Sequence, residues 1–212
     1  MRRGPTRGVR VWIILFGVGL GVVAYARGPQ LVPVTSPTQR LQSDVLSILP
    51  PQGENWFAVR KPQGAHGLLF QFFKAATPPS KTRTVLANVQ VLRGRDSIPA
   101  ESRAQFLREL AQFKYSEQTN RERPTSVNIS PDKTLAHDCV RYDVTHEDRG
   151  VPGYRGSIFI WDAHGFICVH PDLPDTVVDI QYSQRRLQQE PAVPLEREGE
   201  PFVKSVLFKK HN

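Results

Sequence analysis

The stretch that determines the fold is residues 140–183, VRYDVTHEDRGVPGYRGSIFIWDAHGFICVHPDLPDTVVDIQYS. Short runs of β-branched and aromatic residues alternate there with Gly, Pro and Asp, which is the pattern of strands joined by tight turns. Residues 148–150 (DRG) and 162–165 (DAHG) have the composition of such turns. The stretch therefore predicts an antiparallel meander, in which consecutive strands lie side by side.

Runs of the same kind continue in both directions along the chain. Together they predict eight strands, at residues 55–60, 68–74, 84–93, 126–130, 136–145, 154–161, 166–170 and 176–183. A helix is expected at residues 98–117, where Ser97 can cap the first turn, and shorter helices are expected at residues 38–49 and 200–209. We therefore expect one α+β domain with a mainly antiparallel sheet flanked by helices.

The N-terminal segment has the pattern of an export signal. Four arginines and no acid precede residue 11, and the run from Val11 to Ala26 carries no charge. A basic start, an apolar run and a small residue at its end are typical of a signal peptide or a signal-anchor helix. Because flanking arginines stay in the cytoplasm, the remaining chain is expected on the outer side of the membrane.

Two fates of this segment remain open. Cleavage after Ala26 would release a secreted domain, whereas retention of residues 1–27 would leave a single-pass protein of the inner (cytoplasmic) membrane with its C-terminal domain in the periplasm or outside. Residues 28–52 are expected to form a Pro-rich tether that contains the short amphipathic helix. Residues 53–212 are then the single exported domain.

The net charge reflects this topology rather than a nucleic-acid partner. The chain has 28 Lys and Arg against 20 Asp and Glu, a formal charge of +8. Five of the arginines lie before residue 31, where there is no acid, so the remainder carries 23 basic and 20 acidic residues, a net charge of +3. The basic residues after the export segment are scattered among acids, and no nucleic-acid partner is predicted.

The only two cysteines are Cys139 and Cys168, and export favours a disulfide between them. Such a bond would close a loop of about 30 residues and stabilise the fold by roughly 3 to 4 kcal/mol. The order is His137-x-Cys139 and, mirrored, Cys168-x-His170. If the two strands were antiparallel neighbours with the cysteines opposite each other, the histidines would also be opposite, forming a Cys₂His₂ set suited to zinc or copper.

The predicted meander argues against both arrangements. The strand at residues 154–161 would lie between the two cysteine strands and hold Cys139 and Cys168 about 10 Å apart, too far for a disulfide. A disulfide therefore requires a break in the meander, and two free buried thiols remain an alternative.

No catalytic signature accompanies these residues. The chain contains no phosphate-binding loop and no His-Glu-x-x-His sequence, and Ser183 lacks the glycines of a nucleophile elbow. We therefore expect a non-catalytic protein and predict no cofactor. The side chains expected to bind a ligand surround the last predicted turn, namely Trp161, His164, Phe166 and His170.

Several short motifs resemble a known group of proteins. They are GENWFAV at residues 53–59, FL at 106–107, CVHP at 168–171, YSQR at 182–185 and the segment at 200–208. In these motifs the chain resembles small exported bacterial proteins of unassigned role with a PsbP-like fold. The resemblance implies an antiparallel sheet flanked by helices, and a binding or assembly role.

Two functional hypotheses follow. The first is an exported, membrane-tethered, non-catalytic domain that binds an envelope protein or a small ligand. The alternative is a metal-binding protein or metal-dependent enzyme built on His137, Cys139, Cys168 and His170.

Overall fold

The computed structural model describes residues 30–60, 67–75, 80, 82–136 and 138–211. The predicted export segment at residues 1–27 and His137 of the alternative metal set lie outside this part of the chain. None of the helices in the described residues is long and apolar enough to cross a membrane.

The described residues form eleven strands and two α-helices. The strands are β1 (Gln30–Pro33), β2 (Leu41–Gln42), β3 (Leu46–Ile48), β4 (Trp56–Arg60), β5 (Leu68–Lys74), β6 (Thr84–Arg93), β7 (Glu122–Asp132), β8 (Cys139–Asp148), β9 (Phe159–Val169), β10 (Thr176–Leu187) and β11 (Leu207–Phe208). The helices are α1 (Arg103–Ser116), preceded by a 3₁₀ turn at Ala100–Ser102, and α2 (Glu196–Lys204). The fold is therefore mostly β, and the predicted α+β class is wrong.

The strands form two antiparallel sheets. The large sheet has the order β1-β4-β5-β6-β10-β9-β8-β7, so β1 and β7 are its edges, and the small sheet has the order β11-β3-β2. All strand pairs in both sheets are antiparallel. The long strands β8, β9 and β10 lie side by side and provide the frame of the candidate site.

The large sheet buries side chains on both faces. Along β9, Phe166 and Cys168 point to one side and Ile167 and Val169 to the other, as strand alternation requires. We call the first side the α2 face, because α2 and the small sheet pack on it, and the second the α1 face. The helices contribute buried side chains to these cores: Phe202 and Val203 from α2, and Leu107, Ala111 and Tyr115 from α1.

The predicted helix at residues 38–49 is wrong, because this segment forms β2 and β3. The Ser43 hydroxyl makes the turn between them, accepting hydrogen bonds from the backbone N–H groups of Val45 (3.2 Å) and Leu46 (3.0 Å). A serine that bonds its own backbone competes with helix formation. Of the apolar residues that looked like one face of a helix, Val45, Leu46 and Ile48 are instead buried against the α2 face.

The predicted C-terminal helix begins and ends too late. α2 begins at Glu196 and ends at Lys204, with Pro201 inside it rather than in its first turn. Tertiary contacts hold the part before the proline, since the Glu198 carboxylate accepts a hydrogen bond from the Trp56 indole N–H at 2.8 Å. Local sequence signals do not contain this contact with a distant strand.

The predicted strand at residues 154–161 begins too early, and the predicted turn at 162–165 is wrong. β9 begins only at Phe159 and continues without a break through Asp162 and Gly165. β8 and β9 are consequently direct neighbours, with no strand between them.

Gly165 explains why the strand continues. A Cβ atom there would lie 2.2 Å from the Ile180 carbonyl oxygen and 2.7 Å from the Tyr142 hydroxyl. The missing side chain lets Tyr142 cross over β9 from β8 and donate a hydrogen bond to Asp179 of β10 at 2.8 Å. The glycine that favoured a turn in the sequence is thus a point of close packing within the sheet.

Other predicted elements are confirmed. β5 and β6 have the predicted bounds. The strands predicted at residues 55–60, 126–130, 136–145 and 176–183 overlap β4, β7, β8 and β10, and α1 lies within the helix predicted at 98–117.

Candidate functional site: the His164 cleft

The four predicted ligand-binding side chains all lie on β9 or directly after it, but not on one surface. Trp161 points to the α1 face, where its ring packs against Tyr115 and His146 at centroid distances of 6.2 and 5.3 Å. His164 and Phe166 point to the α2 face, and His170 follows the end of β9. Strand alternation therefore separates Trp161 from the others.

Phe166 and His170 are structural. Phe166 is buried in the core beneath the guanidinium of Arg141, 5.8 Å from its ring centroid. The fully buried His170 ring bonds the Val45 carbonyl oxygen through Nε2 (3.0 Å) and accepts the backbone N–H groups of Asp172 and Leu173 at Nδ1 (both 3.1 Å). Both ring nitrogens are occupied, so His170 joins the small sheet to the loop after β9.

His164 is the one predicted residue that opens onto a cleft. Its Nδ1 lies 2.7 Å from Oδ1 of Asp143, the residue directly opposite it on β8. Its ring stacks on Tyr182 of β10, with centroids 5.2 Å apart. The hydrogen bond with His164 lowers the pKa of Asp143. An ionised carboxylate at this position favours the tautomer with hydrogen on Nδ1, which leaves Nε2 of the neutral ring as an acceptor.

The cleft beside His164 has a volume of about 330 Å³. Its lining consists of Asp162, His164, Gln184, Ala192, Val193, Pro194 and Glu196. The floor comes from β9 and β10, and one wall is the loop that leads into α2. The arrangement combines carboxylate and imidazole groups with an apolar wall.

Gln184 fixes the wall of the cleft. Its amide donates to the Val193 carbonyl oxygen at 3.2 Å and accepts the Val193 N–H at 3.0 Å. These two hydrogen bonds hold the loop at a fixed distance from β10, as pairing with a neighbouring strand would. The cleft is therefore part of the folded framework.

Further hydrogen bonds orient the polar groups near the cleft. The Thr145 hydroxyl donates to Asp162 at 3.0 Å. Burial raises the pKa of Tyr182, so its phenol stays protonated and donates to Glu200 at 3.3 Å. The acceptors Asp162, His164 and Glu196 suit a ligand that presents hydroxyl, amide or ammonium hydrogens.

The predicted disulfide is confirmed: Cys139 and Cys168 are bonded, with their Cα atoms 4.1 Å apart. They are directly opposite in the β8–β9 ladder. The Val169 N–H bonds the Asp138 carbonyl oxygen at 3.0 Å, so the adjacent cysteine pair is a non-hydrogen-bonded one, where strands approach most closely. The expected separation of about 10 Å is wrong, because no strand intervenes.

The alternative metal set loses two donors to this bond. Cys139 and Cys168 carry no thiolate for a metal, and His137 lies outside the described residues. In the part of the chain that is described, no group of three or more His, Cys, Asp or Glu side chains could hold a metal ion.

A second cleft, of about 410 Å³, lies near the disulfide end of the sheet. It is lined by Lys133, Leu135, Ala136, Pro171, Val206, Leu207 and Phe208. Lys133 is the only charged side chain of this lining, so the cleft offers less hydrogen bonding than the His164 cleft and is the weaker candidate.

Sequence reasoning missed Asp143, Tyr182 and Gln184 as parts of the site. The sequence does contain a signal for Asp143, namely the register of the two cysteine strands. The strand register that sets Cys139 opposite Cys168 also sets Asp143 opposite His164. The positions of Tyr182 and Gln184 beside the cleft depend on the β9–β10 register and on α2.

Comparisons with known proteins do not assign this chain to a family. A scan against protein-family models finds no match, and a search of curated proteins finds none that is significantly similar. The resemblance to small exported bacterial proteins stays a prediction, and a functional assignment depends on the His164 cleft.

Proposed function

We propose that this protein is an exported, membrane-tethered, non-catalytic domain that binds an envelope protein or a small ligand through the His164 cleft. The observation that carries the proposal is the cleft itself, about 330 Å³ in volume, with His164, Asp162 and Glu196 at its surface. This volume is at the lower end of the range for small-molecule sites. It suits a small polar molecule or one protruding side chain of a partner.

The membrane tether is supported by the sequence. The uncharged run from Val11 to Ala26 follows four arginines, a pattern shared by cleaved signal peptides and retained anchors. Its sixteen residues slightly exceed the roughly 7 to 15 of a signal-peptide core, which favours the anchor. The disulfide Cys139–Cys168 agrees with an oxidising compartment outside the cytoplasm. The proposed site is thus presented to the envelope.

Photo-crosslinking in the full-length, membrane-bound chain tests the protein-partner form of the proposal. A photoreactive amino acid replaces Val193 in the cleft wall, and a control chain carries it at exposed Ser130 on β7. We expect a discrete crosslinked product from position 193 and not from position 130. His164→Ala is expected to reduce its yield several-fold, whereas His164→Gln, which keeps a polar side chain, reduces it less.

Native mass spectrometry of the detergent-solubilised chain tests the small-ligand form. We expect a bound mass that is lost in His164→Ala and retained in Arg149→Ala, a change on an exposed turn. Absence of both a crosslinked partner and a bound mass would overturn the proposal.

A further inference from the structure

The first strand of the large sheet is an exposed, apolar edge. Leu31 and Val32 of β1 are 46% and 45% exposed, although they point to opposite faces of the strand. Among the residues that the structure describes, β1 pairs only with β4 and forms one edge of the sheet. The edge strand therefore exposes one apolar side chain on each face of the sheet.

This edge lacks the charges that usually protect an edge strand. Residues 28–39 contain no Asp, Glu, Lys or Arg. The opposite edge, β7, carries Glu122, Arg123 and Asp132 and has a proline near each end. Charges and prolines discourage pairing at exposed edges, and β7 has both. Within the strand itself, only the short length of β1 and Pro33 act against such pairing.

The sequence places β1 close to the proposed membrane span. Gln30 is four residues after Ala26, so the chain between them reaches at most about 14 Å. The headgroup region adds roughly 5 to 8 Å on each side of the hydrocarbon core. If Val11–Ala26 spans the membrane, β1 begins in the headgroup layer or immediately above it.

We propose that the β1 edge, through Leu31 and Val32, contacts the lipid headgroup layer of the membrane that holds the N-terminal span. This inference rests on one part of the proposed function, the membrane tether formed by Val11–Ala26. Contact at β1 orients the large sheet with β7 farthest from the lipid. β9 is the fifth neighbour from β1, so at the usual strand spacing the His164 cleft stands about 24 Å from the membrane along the sheet.

Fluorescence quenching in liposomes tests this contact. The full-length chain carries Leu31→Cys, labelled with a fluorophore, in liposomes of phosphatidylethanolamine and phosphatidylglycerol that contain a lipid with a quencher on its headgroup. The matched control is Phe113→Cys on the exposed side of α1, which is 48% exposed and packs over β7, β8 and β9. The native cysteines are buried in their disulfide and do not compete for the label.

We expect the label at position 31 to be quenched several-fold more than the label at position 113. Val32→Cys provides a second labelled site that must give the same result. Equal quenching at positions 31 and 113, in chains that resist carbonate extraction, would overturn the inference and leave the tether intact. Release of the chain by carbonate would overturn the tether, and the inference with it.

Discussion

Asp143 and His164 are directly opposite each other in the β8–β9 ladder, four positions from the Cys139–Cys168 pair, and their Oδ1 and Nδ1 atoms are 2.7 Å apart. The disulfide and the cleft thus share one strand register. Because a slip of one residue would reverse the face of every side chain, the covalent bond secures the geometry of the site as well as the stability of the sheet.

Asp143→Asn is expected to weaken binding in the His164 cleft with little loss of stability. The Asn side chain lacks the negative charge that favours a hydrogen on Nδ1 of His164. The imidazole therefore no longer presents Nε2 as a fixed acceptor. The yield of the Val193 crosslink, or of the bound mass, should fall several-fold. Since Asp143 and His164 are 37% and 30% exposed, the free energy of unfolding should change by about 1 kcal/mol or less.

Glu147→Gln is the matched control for this change. Glu147 lies on the same strand and forms an ion pair with Arg149 at 2.7 Å. Arg149 is more exposed than His164, the partner of Asp143. Both binding and stability should stay unchanged. An equal loss of binding in the two variants would remove the role assigned to Asp143.

Removal of the disulfide is expected to destabilise the domain. Replacing both Cys139 and Cys168 with alanine should lower the free energy of unfolding by about 2 to 4 kcal/mol. The unfolding midpoint in urea measures the change, and reduction of the wild-type chain should produce a similar shift. A wild-type midpoint that does not respond to a reducing agent would contradict the contribution of the bond.

Gly199→Ala is expected to displace α2. A Cβ atom at residue 199 would lie 2.3 to 2.5 Å from ring atoms of Tyr182, so the helix or the ring must shift. Overpacking of this kind costs about 1 to 3 kcal/mol, measured as a lower unfolding temperature. Gly94→Ala is the control, since its nearest contacts are 3.4 Å away. Equal unfolding temperatures of the two variants would show that α2 can shift without loss of stability.

Lys114→Met is expected to be strongly destabilising. Burial alone would lower the pKa of Lys114, but the charge of Asp179 raises it above its ordinary value. Asp179 is only 4% exposed and also accepts the Tyr142 hydroxyl. Removing one partner of a buried ion pair leaves an uncompensated charge and costs about 3 to 5 kcal/mol.

Urea unfolding of Lys204→Met is the comparison for this pair. Lys204 is 52% exposed and pairs with Glu200 one helical turn away, so its removal should cost about 0.5 kcal/mol or less. A loss as small as this in Lys114→Met would mean that the buried pair contributes nothing.

Acid is expected to destabilise the fold through His170. Burial lowers its pKa from the ordinary value of 6.5, so the folded state binds fewer protons than the unfolded state. The full free energy of unfolding is therefore available above pH 6.5, where His170 is neutral in both states. It decreases as the pH falls below 6.5, because the unfolded state then binds the proton more readily. Protonation would also place a hydrogen on Nδ1, which already accepts the N–H groups of Asp172 and Leu173.

Urea unfolding between pH 7.5 and 5 measures this dependence, with a slope of up to about 1.4 kcal/mol per pH unit for each such histidine. His146, whose pKa burial also lowers, adds to the slope. His170→Gln should reduce the slope, and an unchanged slope would exclude His170 as a source.

The sequence by itself determined the positions of most strands, and also the register that the two cysteine strands would have if they were neighbours. β6 and α1 follow from local side-chain periodicity, because the strand buries Val85, Ala87 and Val89 and the helix buries Leu107, Ala111 and Tyr115. The register that sets Cys139 opposite Cys168 is the one observed, and it also pairs Asp143 with His164.

Only the tertiary structure decided that β8 and β9 are neighbours and that the cleft exists. The DAHG sequence at residues 162–165 is compatible with a turn, and it becomes strand because Tyr142 fills the space above Gly165 and bonds Asp179 on the next strand. The cleft wall depends in the same way on the two hydrogen bonds between Gln184 and Val193. Such contacts join residues from separate segments of the chain, and local periodicity carries no information about them.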